Sequence, residues 1–389
     1  MLATTHRRGS GLGAAVAGML LVAATYGMAR FGVGLFAPLL VALRPDLIGV
    51  IGWAAAAQFT SYSLAAAVAA RLVDRRPRAG LVLAGVTSTA GCLGVAVASD
   101  PVVFVVAVFI GGMGGGFASP ALVPVIDAVV ARRATATAQS VVNSGTAVGV
   151  IGAGVVASVA ASVGPAWVFM ALVCAVTAVA AWYPVRARTD LTASRHATTE
   201  TPSGSVPGSW RLLVVPGAAA VVAGAGAALI WTFGPLLATG SGSVSPDRVG
   251  WLWIALGLGG MLGALTGVVV ERLGRRGGWC LCAGVLALAN AGLALSVVAG
   301  SSWVAYAAMA LFGAAYMGLS GVLILWARRI WPNAAGAGTS VLFIALAVGQ
   351  ALGSAGFGIA RDALSPGPLA LLAAGFCVLG GLTALIRTR

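Results

Sequence analysis

Residues 12–43 read LGAAVAGMLLVAATYGMARFGVGLFAPLLVAL, and Arg30 is the only charged side chain among them. An apolar run of this length can cross the hydrocarbon core of a bilayer, which is about 30 Å thick and needs about 20 helical residues. The run is too long for a secretory signal, and no convincing small-residue cleavage site ends it. We therefore predict that these residues form an uncleaved membrane-spanning helix.

The composition of the whole chain also indicates a membrane protein. Of its 389 residues, 60% are hydrophobic and only 8% are charged, whereas soluble proteins carry about 25% charged residues. Further apolar runs recur along the chain, and lipid requires each segment to satisfy its own backbone polar groups, which predicts helices. The predicted spans are 12–43, 48–73, 79–98, 102–128, 137–163, 166–184, 212–238, 249–270, 279–299, 303–327, 336–360 and 367–386.

The placement of arginine predicts the orientation of these twelve spans. All 23 basic residues are arginine, and the loops on the side of the two termini hold most of them, while Arg44, Arg248 and Arg361 lie on the other side. The positive-inside rule therefore places both termini in the cytoplasm, as in a multi-pass protein of the cytoplasmic membrane. Scattered among short loops, the arginines form no nucleic-acid footprint despite the net charge of +14. The terminal side holds Arg7, Arg8, Arg71, Arg75, Arg76, Arg78, Arg132, Arg133, Arg186, Arg188, Arg195, Arg211, Arg272, Arg275, Arg276, Arg328, Arg329, Arg387 and Arg389.

A polar stretch divides the chain into two parts with six predicted spans each. Residues 186–211 are rich in Thr, Ser, Pro and Gly and show no apolar periodicity, which is typical of a flexible linker. We predict an N-terminal bundle over 1–185, a cytoplasmic linker over 186–211 and a C-terminal bundle over 212–389.

The two parts repeat at a fixed offset. FAPLL at 36–40 corresponds to FGPLL at 233–237, and VDRRPR at 73–78 corresponds to VERLGR at 270–275, both 197 residues later. Such internal repeats are common in secondary transporters. In addition, GVVVERLGRR at 267–276 resembles the signature between helices eight and nine of the major facilitator superfamily: Gly, three residues, an acid, Arg, any residue, Gly, Arg, then Arg or Lys.

This resemblance implies an all-α membrane fold of twelve helices in two pseudo-symmetric six-helix bundles. It further implies a monomeric secondary transporter that moves a small-molecule substrate across the lipid bilayer by alternating access, without a cofactor. In the first-half copy of the signature, Ala70 and Pro77 replace the glycines. The resemblance also implies a charged latch at the cytoplasmic ends of the helices, although these charges can equally be topology signals in solvated loops. The gating residues so implied are Asp74, Arg75, Arg78, Asp127, Glu271, Arg272 and Arg275.

Arg30 is the most informative single residue, because it lies near the middle of a span. A central arginine costs about 2.5–3.5 kcal/mol on insertion scales, and such residues usually face the bundle interior and mark a substrate or ion path. The repeat aligns Arg30 with Ala227, so the scaffold itself does not require an arginine. We hypothesise that Arg30 binds an anionic group of the substrate. The alternative is that it ties helices together through backbone carbonyls or Asn143.

Other polar and aromatic side chains occur in one half without a counterpart in the other. Together they predict a cavity with aromatic walls and few charges, suited to a mostly apolar molecule with one acidic group; Trp53 is a further candidate for its wall. We expect no metal site, because no ligand cluster is found. The candidate substrate-binding residues are Arg30, Tyr26, Gln58, Tyr62, Asn143, Trp231, Tyr316 and Gln350.

The direction and coupling of transport stay open at this point. None of the nine acidic residues lies in the middle of a predicted span, which argues against a membrane-embedded proton carrier. The fifth span resembles the efflux signature of antiporters, but Val150 and Ala153 replace its Pro and one Gly. Two other classes are weighed: a polytopic membrane enzyme, for which no clustered nucleophile or paired acids exist, and a transporter-derived membrane sensor.

Overall fold

The structure is a computed structural model that describes residues 2–73, 76–160, 162–185 and 210–386. Within these ranges the chain is helical and contains no strand. The α-helices are α1 (Leu2–Val22), α2 (Gly32–Leu43), α3 (Ile51–Leu72), α4 (Pro77–Val97), α5 (Pro101–Val129), α6 (Thr135–Val159), α7 (Val163–Trp182), α8 (Arg211–Gly240), α9 (Val249–Gly260), α10 (Thr266–Ala299), α11 (Ser302–Ile330), α12 (Ala335–Ala360) and α13 (Pro366–Thr383).

Ten helical stretches among the described residues are long and apolar enough to cross a membrane. One of them, Pro246–Ala299, covers two predicted spans, and Gly274 interrupts it with φ 71° and ψ 170°, a conformation that favours glycine. The 22-residue helix α3 is not among the ten, because Gln58 and its other polar residues lower its hydropathy. Dividing the chain at Gly274 and including α3 gives twelve spans, a number that stays a prediction.

The first span is not a uniform α-helix. Ala23–Arg30 forms a π-helix that connects α1 to α2, and its Gly27 packs directly on the backbone of Gly149 in α6. π-Helical turns are rare and are frequent at functional sites. The apolar pattern of the sequence did not predict this segment, which ends at Arg30.

Helix contacts inside the first half recur inside the second half. The pairs α4–α5, α3–α5, α4–α7 and α1–α6 have as counterparts α10–α11, α9–α11, α10–α13 and α8–α12. Glycines make the closest of these approaches possible, as in other membrane helices. Gly349 of α12 packs on the carbonyl group of Val221 in α8, and Gly149 of α6 packs on that of Ala23 in the first span.

We expect Gly149→Ala to lower the free energy of unfolding by about 1–3 kcal/mol, because the new methyl group would overlap the Ala23 carbonyl group. Gly13→Ala is the matched control: a Cβ atom there would meet nothing within 4 Å, so its effect should be neutral or slightly stabilising through helix propensity. Thermal unfolding in detergent compares the two variants, and equal stabilities would contradict the packing argument.

The two halves contact each other through α2 with α8, α3 with α12, and α6 with α9. Toward the arginine-poor face this seam is closed. A Cβ atom on Gly52 would lie 2.7 Å from the carbonyl oxygen of Ser354, and Arg361 Nη1 donates a hydrogen bond of 3.3 Å to the carbonyl oxygen of Ile48. These contacts join the start of α3 and the turn before it to the C-terminal end of α12 in the second half.

Toward the arginine-rich face the seam carries exposed residues. Ala147 of α6 packs against Gly257 and Gly260 of α9. One helical turn further, Asn143 lies on the same face of its helix as Ala147 and is exposed, and Met261 is 57% exposed. The contacts of Gly52 and Arg361 therefore join the two halves toward the arginine-poor face, whereas Asn143 and Met261 are exposed toward the arginine-rich face.

Candidate functional site

Trp231 lies at the centre of the molecule. Positions 34 and 231 are related by the 197-residue repeat, and Gly34 packs on the carbonyl group of Trp231 itself. Two positions related by pseudo-symmetry can touch only where they are both close to the pseudo-symmetry axis. Any Cβ atom on Gly34 would overlap this carbonyl group, so a glycine is needed for α2 and α8 to cross here.

The Arg30 side chain is buried next to this crossing, with 1% of its surface exposed. Its guanidinium carbon lies 3.9 Å from the ring centroid of Tyr62 and 4.4 Å from that of Tyr26. The rings of Phe59 and Phe31 follow at 5.0 Å and 5.1 Å. Nε and Nη1 of Arg30 have no hydrogen-bond partner in the described part of the chain.

The aromatic rings alone do not compensate the burial of this charge. A cation–π contact contributes about 0.5–2 kcal/mol, and it leaves the N–H groups without acceptors. Burying an ion costs several kcal/mol even after relaxation, and an unpaired charge-bearing donor adds a further desolvation cost. Arg30 is thus a cation in a π-rich environment that lacks an anionic partner among the described residues.

Two of the predicted substrate-binding residues of the first half, Tyr26 and Tyr62, lie at the Arg30 guanidinium. Tyr62 is 5% exposed, and its ring meets that of Tyr26 edge to face at 5.5 Å. Gln58, which is 3% exposed, lies one turn from Tyr62 and packs on Gly112 of α5, where a Cβ atom would meet its Cγ at 2.9 Å. Both candidate residues of α3 therefore point into the bundle: Gln58 lies between helices, and Tyr62 lies against the Arg30 guanidinium.

Predicted residues of the second half lie across the seam from Arg30. Trp231 and Tyr316 are 2% and 3% exposed, and their ring centroids are 5.2 Å apart. Gln350 is 1% exposed and close enough to interact with the Tyr316 hydroxyl group, which is also within range of the Arg30 charge. The structure thus brings residues of both halves into one cluster.

Two predicted members lie outside this cluster. Asn143 is exposed, because the helix rotation that points Gly145 and Gly149 at the first span turns Asn143 away from it. Trp53 is 53% exposed, so the prediction that it lines an aromatic wall is wrong. It lies on the outer surface of α3, where aromatic residues are common at the membrane interface.

Four aromatic rings of the cluster were not predicted from the sequence. The Phe31 ring stacks on Trp231 with centroids 3.7 Å apart, and Trp253 and Phe312 meet Trp231 at 5.9 Å and 5.4 Å; Phe59 completes the set at Arg30. A signal was present, because the repeat aligns Trp253 with Ala56 and Phe312 with Gly115. The same half-to-half comparison that selected Arg30 would have selected both.

The predicted latch is only partly within the described residues, since Asp74 and Arg75 lie outside them. In the second half, Glu271 and Arg272 are exposed and Arg275 is half-buried, and Glu271 forms no ion pair with any residue that the structure describes. Burial and the nearby charge of Arg329 lower the pKa of Arg275. Arg78 and Asp127 complete the predicted latch, which stays a prediction.

The fold and the site together define a membrane protein with two similar helical halves around a central buried cation. The sequence profile described as the Major Facilitator Superfamily matches residues 9–354. No curated protein sequence is significantly similar to the chain.

Solved structures share the fold at low sequence identity. The nucleoside transporter NupG is 12% identical with a TM-score of 0.72, over 96% of this chain and 98% of that chain. The xylose transporter XylE from E. coli, in a partially occluded inward-open conformation, is 16% identical with a TM-score of 0.71, over 97% of this chain and 98% of that chain. A D-xylose–proton symporter is 17% identical with a TM-score of 0.72, over 96% and 95%.

The chain belongs to the Major Facilitator Superfamily. It is accordingly a multi-pass membrane transporter and not an enzyme, as the family resemblance in its sequence implied.

Proposed function

We propose that this transporter carries a small organic anion across the cytoplasmic membrane by alternating access, and that Arg30 binds the anionic group. The observation that carries the proposal is the Arg30 guanidinium, which is 1% exposed and has two nitrogen atoms without a partner in the described chain. A carboxylate would supply both the missing charge and the missing acceptors through paired, charge-assisted hydrogen bonds.

Uncharged polar solutes are the second candidate class. The similar structures are those of a nucleoside transporter and of a xylose transporter, and nucleosides and xylose bear no negative charge. Such a solute would leave Arg30 as an uncompensated buried cation, which is why we favour an anion. The rings around Arg30 further favour a substrate with an apolar body.

Alternating access would use the seam between the halves. If the arginine-rich face is cytoplasmic, the closed contacts of Gly52 and Arg361 face outward, and the exposed Asn143 faces inward. The structure would then be an inward-facing state. Rocking of the two halves would break the close contacts of Gly34 with Trp231 and of Gly52 with Ser354 and so open the opposite side, as in other carriers built from repeats.

The substrate and the direction of transport can be measured together. Cells that express the wild type, Arg30→Gln or no transporter are compared by mass spectrometry for the cell-to-medium ratio of organic solutes. We expect one or a few organic anions to change ratio with the wild type only; a fall indicates export and a rise indicates import. Arg71→Gln, an exposed arginine at the arginine-rich face, is the matched control and should behave as the wild type. Changes confined to neutral solutes and insensitive to Arg30 would contradict the proposal.

A further inference from the structure

Five unpartnered hydrogen-bond donors lie in one group of side chains at the seam. They are Nε and Nη1 of Arg30, Nε1 of Trp231 and of Trp253, and Nε2 of Gln350, and none has a partner among the described residues. These four side chains are at most 2% exposed. Guanidinium, indole and amide N–H groups only donate, so all five atoms need an acceptor.

The four side chains form a continuous set of contacts. The Arg30 guanidinium lies over the Phe31 ring, Phe31 stacks on Trp231, and Trp231 contacts Trp253 and Tyr316. Gln350 is adjacent to the Tyr316 hydroxyl group. Other unpartnered atoms lie outside this set of contacts, among them the donors Trp167 Nε1 and Trp331 Nε1 and the acceptor Asn290 Oδ1. The central group is therefore complementary to a ligand that is rich in acceptors.

Ring geometry adds a shape requirement. Trp253, Phe312 and Tyr316 all meet Trp231 at interplanar angles of 79–81°. Phe31 is parallel to Trp231 within 13° at 3.7 Å, and it comes from the other half of the protein. When the halves move apart, this stacked face of Trp231 is the one that is released, and it accepts a flat ring.

We propose that the substrate is a planar aromatic carboxylate whose ring stacks on Trp231 in the place that Phe31 occupies here. Its carboxylate binds Arg30, and Gln350 and the Trp253 indole N–H group bind further acceptor atoms of the substrate. This inference rests on the proposed transport of an organic anion and narrows the class of that anion. Phe31 then competes with the substrate for the same face of Trp231.

The test uses purified full-length protein in detergent. Thermal unfolding is followed with a thiol-reactive dye, which reports exposure of the buried thiols of Cys92, Cys174 and Cys377, while benzoate, 2-naphthoate, cyclohexanecarboxylate and benzyl alcohol are titrated. We expect both aromatic acids to stabilise the protein, with about fivefold tighter binding of benzoate than of cyclohexanecarboxylate from stacking. Benzyl alcohol, which has the ring without the charge, should not stabilise.

Two variants test whether the preference for benzoate over cyclohexanecarboxylate comes from stacking on Trp231. Trp231→Leu should abolish the fivefold preference for the aromatic acid while retaining binding through Arg30. Phe31→Leu should tighten the binding of benzoate, because the competing ring is removed. The control is Trp279→Phe, at a buried tryptophan that bonds the carbonyl oxygen of Gly380 far from the seam; it should leave the preference unchanged.

The possible failures are distinguishable. Equal binding of benzoate and cyclohexanecarboxylate that still requires Arg30 would overturn the proposed stacking on Trp231. It would leave the proposed transport of an organic anion in place. Binding of benzyl alcohol as strong as that of benzoate and independent of Arg30 would overturn both. So would the lack of stabilisation by any of the acids. Weaker binding of benzoate by Phe31→Leu would show that Phe31 is not a competitor and would overturn the inference.

Discussion

Arg30→Met is expected to abolish binding of the organic anion and to leave the folded protein at least as stable as the wild type. The two effects separate a functional cation from a structural one. Arg30 lacks an acceptor at two nitrogen atoms within the described chain, so its removal leaves no orphaned acceptor behind. Methionine is unbranched and flexible, has a similar volume, and can pack against the rings of Tyr26 and Tyr62.

The sizes of the two effects follow from the local contacts. Replacing buried charges by apolar residues of similar volume is often neutral or stabilising by about 1–4 kcal/mol, and here the lost cation–π contacts offset part of this gain. Two hydrogen bonds to a charged group contribute about 1.5–3 kcal/mol each, so ligand affinity should fall at least about a hundredfold.

Ligand-induced stabilisation and unfolding temperature in the same detergent measure both effects. Arg30→Lys retains the charge but loses the planar pair of donors, and it should bind the anion with an affinity between those of the wild type and Arg30→Met. Arg71→Met is the control for loss of an exposed arginine. A variant that loses several degrees of stability yet still binds the anion would assign Arg30 a purely structural role.

Gly34→Leu is expected to favour the state in which the arginine-poor side is open. A side chain at this position overlaps the backbone of Trp231 in the other half, so it opposes contact between the halves without disturbing either half internally. Overpacking of this kind costs about 1–3 kcal/mol, which shifts a two-state equilibrium by about 5- to 150-fold.

Spin labels at Gly49 and Asp362 report the opening, because these exposed positions flank the contact between Ile48 and Arg361. In a background without native cysteines, the distance distribution should move to longer values in Gly34→Leu. Gly356→Leu is the matched control, since a Cβ atom there meets nothing within 4 Å. An unchanged distribution in Gly34→Leu would show that this crossing does not hold the seam closed.

Much of the secondary structure is predictable from the apolar pattern. The predicted spans 102–128 and 336–360 correspond to Pro101–Val129 and Ala335–Ala360, because each begins or ends where an apolar run meets a proline, a charge or a polar loop. The first span shows the limit of this approach. Its apolar run continues through Ala23–Arg30, although the backbone there is π-helical.

The site was only partly predictable. A lone arginine amid apolar residues is conspicuous in any membrane sequence, and comparing the two halves directed attention to Tyr62, Trp231 and Gln350, which are all buried near the seam. The same comparison cannot tell which face of a helix points inward. It also cannot tell how far along a helix the cluster extends: Asn143 shares a helix face with Ala147 but lies outside the cluster and is exposed.

The sequence by itself determined that lipid surrounds this chain, that its segments are helical and that Arg30 needs a reason to be buried. These conclusions depend on transfer free energies, which are local properties of each segment. Only the tertiary structure decided that Phe31 of one half stacks on Trp231 of the other, and that Trp53 lies outside the cluster. Such contacts depend on the rotation of each helix and on its crossing with a helix some 200 residues away in the chain, and no local pattern encodes either quantity.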